Sequence, residues 1–233
     1  TLPTAAEVRS FLDDRAPEKR EALVDRLLGS EAYADYGSMR WCDLLRVKSE
    51  FPVNLWPNAV QAYHRWIRTA VRDNLPYDRF ARELLTASGS NFRVPQVNFY
   101  RAVPSKTPEA LAQAAALAFL GERAERWQKE RLHGVAGFFA QVGYKETAEW
   151  KEEIVYFNAA ATNARPSAVL PDGVRVTFAP EEDPRAVFAD WLTGPGSLRF
   201  ARCAANRAWA WLLGRGIVEE PDDFRPDNPP SNP

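Results

Sequence analysis

The stretch from Pro108 to Gly121 constrains the fold more than any other, because it is apolar on almost every side of a helix. Leu111, Ala114, Leu117, Phe119 and Leu120 leave no polar stripe for solvent, so this helix belongs at the centre with other elements around it. Thr107 and Pro108 supply a cap and a first-turn residue, and Gly121 supplies the stop. The longest apolar run, Ala114 to Leu120, is far too short for a membrane span, which takes about 20 residues. The centre it occupies is therefore that of a soluble, mainly helical core.

The flanking sequence supplies helices to surround it. Thr4 to Glu7 reads as a capping box for a short helix ending near Leu12. Pro17 opens a second helix with a stripe of Leu23, Val24, Leu27 and Leu28, stopped by Gly29. Ser30 caps a third, which runs through Tyr33, Tyr36, Trp41, Leu44 and Leu45. Pro52 and Pro57 make residues 50–57 a loop. Asn58 is expected to cap the next helix, which turns Tyr63, Trp66, Ile67 and Val71 inward, and Pro76 opens another on Phe80, Leu84 and Leu85. A polar, irregular stretch spans Ser88 to Ser105, a charged turn covers Glu122 to Arg126, and a further helix carries Leu132, Val135, Phe138 and Phe139.

From Trp150 the character changes. Glu153 to Phe157 and Val174 to Phe178 are rich in β-branched and aromatic residues, with a turn signal at Pro171-Asp172-Gly173 between them. They predict a small antiparallel sheet. Helices resume at Asp183-Pro184 and at Ser197, the last reaching Leu213 before Gly214 and Gly216. The expected architecture is mainly α: a multi-helix, bundle-like domain over residues 1–149, a small β element over 150–182, and a second, truncated helical region over 183–233. A chain of 233 residues suits one domain plus part of another.

Charge and cysteine content narrow the function. Thirty basic residues against thirty-one acidic ones give a net charge of -1, without the basic excess that phosphate neutralisation requires, so no nucleic acid partner is expected. Cys42 and Cys203 fit neither a redox pair nor a zinc site, and both lie in apolar helical contexts where a free thiol packs as a small hydrophobe. A bridge between them would need their backbones within reach. No nucleophile elbow, Walker loop or dinucleotide fingerprint occurs.

Two constellations have chemical potential. Asp43 and Arg46 sit three apart beside Trp41. Read functionally they form a sugar-binding or hydrolytic rim, to which Trp56 in its proline-flanked loop and His64 add a pocket; read structurally they are a surface ion pair next to a core tryptophan. The acidic stretch Glu219 to Asp227 offers oxygen ligands of the kind calcium takes, without the spacing or central glycine of an EF-hand loop. The alternative is that Asp222 and Asp223 cap turn amides or pair with Arg207, Arg215 or Arg225, with Asn206 and Arg207 anchoring the segment. The second reading is preferred, and no metal and no cofactor are assigned.

Several runs carry a resemblance. Leu23 to Leu28 with Tyr33, Trp41 to Arg46, Asn58, Tyr63, Trp66-Ile67, and Asn74 to Phe80 with Glu83-Leu84 resemble the domain of unknown function 1549, which accompanies planctomycete-type cytochrome c domains. Ala189 to Leu192, Phe200 to Arg202, Asn206-Arg207, Trp209, Gly214 to Gly216, Asp222 to Arg225 and Asn228 to Ser231 resemble the start of its companion, domain 1553. That companion normally continues past the Asn-Pro-Pro-Ser motif, so the resemblance implies a fragment of a longer protein that is secreted, periplasmic or attached to the cell surface. Many relatives place Cys-x-x-Cys-His just after the apolar helix. Here Gly121-Glu122-Arg123-Ala124-Glu125-Arg126-Trp127 stands at that point, without the two thiols and the imidazole that covalent haem attachment needs. The expectation is a haem-free branch of the family: a non-catalytic binding or assembly module of the cell envelope, with a polysaccharide or another envelope protein as partner. A hydrolase acting on an extracellular polysaccharide or ester is the alternative.

Overall fold

The computed structural model describes residues 2–49, 57–161 and 167–231. It is mainly helical. Helices α1 (Ala5–Asp13), α2 (Lys19–Leu28) and α3 (Glu31–Leu44) lead into α4 (Pro57–Arg72) and α5 (Tyr77–Thr86). A short α6 (Asn98–Arg101) precedes the central α7 (Pro108–Ala115) and α8 (Lys129–Ala136), and α9 (Pro184–Thr193) and α10 (Leu198–Leu213) follow the strands. The starts follow local chemistry. The Thr4–Glu7 capping box is complete, and the Ser30, Thr107 and Asp183 side chains each accept from an amide in the first turn. One expected cap is not at the helix start: α4 already includes Pro57 and Asn58.

The apolar helix is central, with Leu111, Ala112, Ala115 and Phe119 fully enclosed. It does not stay α-helical to its end. Residues Ala116–Leu120 widen into a π turn, closed by the Gly121 amide donating to the Ala116 carbonyl, with Gly121 at φ 64. A β-carbon at Gly121 would stand 2.8 Å from the Phe224 ring, so glycine is required both by the left-handed backbone and by this approach. The wide turn matters later, because it presents carbonyls to the C-terminal segment.

The expected small antiparallel β element is present, divided into two sheets. Strand β1 (Gly89–Ser90), β2 (Val142–Glu146) and β3 (Glu153–Phe157) form one antiparallel sheet in the order β1-β3-β2, with Tyr144 opposite Val155. Strands β4 (Ser167–Val169) and β5 (Arg175–Thr177) form a separate pair across the Pro171-Asp172-Gly173 turn. The two predicted strands thus do not pair with each other. Each instead takes a partner close in sequence, where the loop to be closed is short and its entropic cost low. Val142 and Tyr144, which alternate toward the core, form a strand that the sequence does not single out. The boundary expected at 149/150 falls in the turn between β2 and β3, two strands paired in one sheet.

Helices α5 and α9 pack together, and the Phe188 ring of α9 meets Phe138 and Phe139 at 5.4 and 5.5 Å. Arg185, 1% exposed, donates to Asp183, the Ala87 carbonyl and the Ser88 hydroxyl, which ties the start of α9 to the end of α5. By contrast α1 and α2 bury no residue completely; Val24, Leu27 and Leu28 of the predicted stripe are exposed.

Glu153 in β3 accepts from Arg101 at 2.8 Å and from Lys106. Burial would raise its pKa, but these hydrogen bonds outweigh burial and hold it below the usual carboxylate range. A carboxyl depressed in the folded state contributes stability above its unfolded pKa and loses it as pH falls through the folded value. Glu153→Gln is therefore expected to flatten the acid limb of the stability curve between roughly pH 5 and 2, measured by urea unfolding. An unchanged acid limb would rule this out.

Candidate functional site

The residues expected to form a rim do not assemble one among the described residues. Asp43 is exposed on α3, and His64 is exposed on α4. Arg46 is half-buried with φ 57, beyond the end of α3 at Leu44. The left-handed backbone carries Arg46 off the helical path, so the i,i+3 relation to Asp43 is lost and no ion pair joins them. Burial lowers the Arg46 pKa, opposed by the nearby Glu125 and Tyr63. Trp56 lies outside the described residues.

The C-terminal motif does converge. Asn206, buried in α10, uses both ends of its amide on one residue: it donates to the Val218 carbonyl at 3.0 Å and accepts from the Val218 amide at 2.9 Å. The next residue, Arg207, is 2% exposed. It donates to Asp222, to the Ala118 carbonyl at 2.8 Å and to the Leu117 carbonyl at 3.1 Å. Those two carbonyls belong to the π turn. Asp223, also 2% exposed, accepts from Arg126 at 2.6 Å and lies 3.1 Å from Arg225, and the Phe224 amide donates to the Gly121 carbonyl. Arg215 makes an exposed pair with Glu219, and Arg225 also reaches Asp227. The acidic stretch is thus matched largely by arginines, and no cluster of three or more metal-ligating side chains occurs among the described residues.

Two concave surfaces flank this clamp. The first, of about 320 Å³, runs between α3, α5 and α10, and Tyr33, Tyr36, Trp41, Tyr77 and Trp211 line it. Trp41 is its pivot: its ring meets Trp211 edge-on at 5.3 Å, and Tyr77 and Phe80 tilted at the same distance. Tyr77 stacks on Phe200 at 4.5 Å. Burial pushes the Tyr77 hydroxyl well above the usual phenol range, with Arg207 opposing, so it stays protonated. Tyr33 and Tyr36 are more than one-third exposed, at 37% and 39%. The outer wall is therefore aromatic and open to solvent.

The second groove, of about 530 Å³, lies between the Gly121–Trp127 loop and the Asp223–Asp227 segment. Arg123, Arg126, Arg131 and Arg225 line it together with Trp127. Here Glu122 is almost fully buried and accepts from Trp127 Nε1 at 3.0 Å, Arg131 at 2.9 Å and Arg199 at 2.7 Å. The Arg131 guanidinium sits 3.7 Å over the Trp127 ring.

Sequence reading named Trp41 and treated Tyr33, Tyr36 and the 122–126 turn as packing and surface. Helical spacing cannot separate an aromatic that packs inward from one that lines a cleft. The arginine density between Arg123 and Arg131 was the available signal for the second groove. The two cysteines are free, Cys42 half-buried and Cys203 buried. Burial raises their pKa values to about 12, with Asp43 adding to it, and to about 11, with Arg207 opposing, so both are poor nucleophiles at neutral pH.

Comparison with known proteins adds a family and no function. Residues 1–139 match the family described as protein of unknown function DUF1549 (PSCyt2), and residues 184–233 match protein of unknown function DUF1553 (PSD1). No curated protein and no solved structure matches the chain. Because the first match spans more than half of the chain, this protein belongs to the DUF1549 family.

Proposed function

We propose that the chain is a non-catalytic binding module of an exported cell-envelope protein, and that it holds a polysaccharide against the aromatic groove. The observation that carries the reading is the set of aromatic side chains around that cleft, Tyr33 and Tyr36 open to solvent and Trp41 and Trp211 behind them. The C–H face of a sugar ring packs on an aromatic face, while the hydroxyls of tyrosine and the indole N–H hydrogen-bond at its edge. A cleft of this size and lining suits a short stretch of glycan. The loop from Gly121 to Trp127 lacks cysteine and histidine, which supports a member of the family without covalent haem.

The test is titration of a panel of neutral and acidic polysaccharides, followed by tryptophan fluorescence and calorimetry. Tyr36→Ala and Trp211→Ala, which remove partly exposed rings, are each expected to weaken binding about tenfold while the far-UV circular dichroism stays unchanged. A folded chain that binds no polysaccharide removes the reading. Turnover of any polymer or ester, abolished by Asp43→Asn, would replace binding with hydrolysis.

A further inference from the structure

We propose that the arginine groove is a second subsite that takes an oxyanion, so that the polysaccharide bound by this chain is an acidic one. The inference rests on the glycan reading and names the charge class of the ligand.

The groove holds more donors than its own carboxylates can use. Its lining has four arginines against Glu122, Asp223 and Asp227. Two of those carboxylates are turned inward and already committed. Glu122 accepts from Trp127, Arg131 and also Arg199, and Asp223 lies against Arg126 and Arg225. Each guanidinium carries five N–H donors. Arg126 spends one on Asp223 and Arg131 one on Glu122, and their side chains remain 53% and 32% exposed. Arg225 also donates to Asp227 at 2.9 Å and stays 40% exposed. The Arg123 Nε is buried with no hydrogen-bond partner among the described residues. Four arginines against three carboxylates leave the lining one positive charge in excess, with guanidinium donors to spare.

Geometry decides what such a site prefers. Arginine forks match the two oxygens of a carboxylate, or two of a sulfate, in parallel hydrogen bonds. The buried acids serve as struts that hold the forks in place, so little ordering entropy is lost when an anion arrives. Trp127, with Arg131 stacked on it, adds a ring face beside the charges. A neutral sugar meets those donors only with hydroxyl oxygens, whereas a sugar carrying carboxylate or sulfate groups meets them with paired, charge-assisted hydrogen bonds.

Dextran, carboxymethyl-dextran and dextran sulfate of equal length share one backbone and differ only in charge, so calorimetric titration of the whole chain with all three at low salt isolates the anion. At least tenfold tighter binding of an acidic polymer than of dextran is expected, with the ratio collapsing as salt rises through the Debye screening range. Arg225→Gln, and Arg126→Lys, which keeps a charge for Asp223, are each expected to cut the acidic-to-neutral ratio severalfold in protein whose melting curve shows it folded. Whichever acidic polymer binds more tightly identifies the oxyanion. Equal affinity for acidic and neutral polymers overturns the inference, as does a ratio that both folded variants leave unchanged, or tighter binding of a single-stranded oligonucleotide than of either acidic dextran. Glycan binding without charge preference leaves the polysaccharide reading intact and sinks only this one, whereas no glycan binding at all sinks both.

Discussion

Arg207→Met is expected to destabilise the protein by about 3–5 kcal/mol, since each buried acceptor left without its donor costs about 1–3 kcal/mol. Methionine fills much of the same volume but leaves three acceptors without their donor: the Asp222 carboxylate and the Leu117 and Ala118 carbonyls. Those carbonyls are available because the π turn has no regular helix beyond it to satisfy them. Arg207→Lys is expected to recover little, since one ammonium cannot reproduce a planar fork that reaches three acceptors. Asp222→Asn is expected to cost less, about 1–2 kcal/mol, because Asp222 is one-third exposed and the amide oxygen still accepts. Hydrogen exchange gives the sharper readout: the amides of Asp223 and Phe224 should lose protection in Arg207→Met before the core does. A loss below 1 kcal/mol, with those amides still protected, would show that the clamp contributes nothing.

Arg185→Leu should be about as damaging, for a related reason at the other side of the core. Arg185 is almost fully enclosed, pairs with Asp183 at 2.7 Å, and donates to the Ala87 carbonyl and Ser88 hydroxyl, each at 2.9 Å. Its guanidinium also lies 5.5 Å from the Tyr100 ring centre. Leucine buries a similar aliphatic stem yet orphans the Ala87 carbonyl and Asp183. A loss of about 3–5 kcal/mol corresponds to a fall in melting temperature of roughly 6–20 °C for a chain of this size. The α5–α9 contact should loosen selectively, so exchange at Thr86 and Phe188 is expected to accelerate more than exchange in α7. Were both regions to respond equally, Arg185 would be supporting the whole core and not this joint.

These two arginines show how differently two equivalent roles can register in a sequence. Arg207 stood out because Asn206-Arg207 and Asp222 to Arg225 occur as an ordered pair of motifs, and arginine with aspartate suggests partnership. Arg185 had no such flag. Its position after Asp183-Pro184 reads as an ordinary first helical turn, and its other partners, at Ala87 and Ser88, are nearly a hundred residues away. The Asp43–Arg46 pair is the converse case. The spacing was correct for a helix face, but α3 ends at Leu44 and Arg46 adopts a left-handed backbone, so spacing ceased to mean proximity.

The pairing of the strands was not legible for a different reason. Glu153 to Phe157 was evident from composition, whereas Val142 to Glu146 shows only two inward positions, Val142 and Tyr144, directly after an apolar 3-10 turn at Gly137–Phe139. Two alternating residues are too few to separate period 2 from the end of a helix. Only pairing with β3 makes that segment a strand.

What the chain determines locally is therefore its helical punctuation and its centre. Thr4, Ser30, Thr107 and Asp183 each satisfy an amide within three residues, and the all-round apolar face of Pro108 to Leu120 admits no position but an interior one. Both follow from interactions or periodicities contained in a few consecutive residues. The two grooves, the arginine clamps and the strand partners were decided by the tertiary structure alone. Each depends on side chains brought together from distant segments, and whether an aromatic or a guanidinium faces a core or a cleft is set by what packs against it.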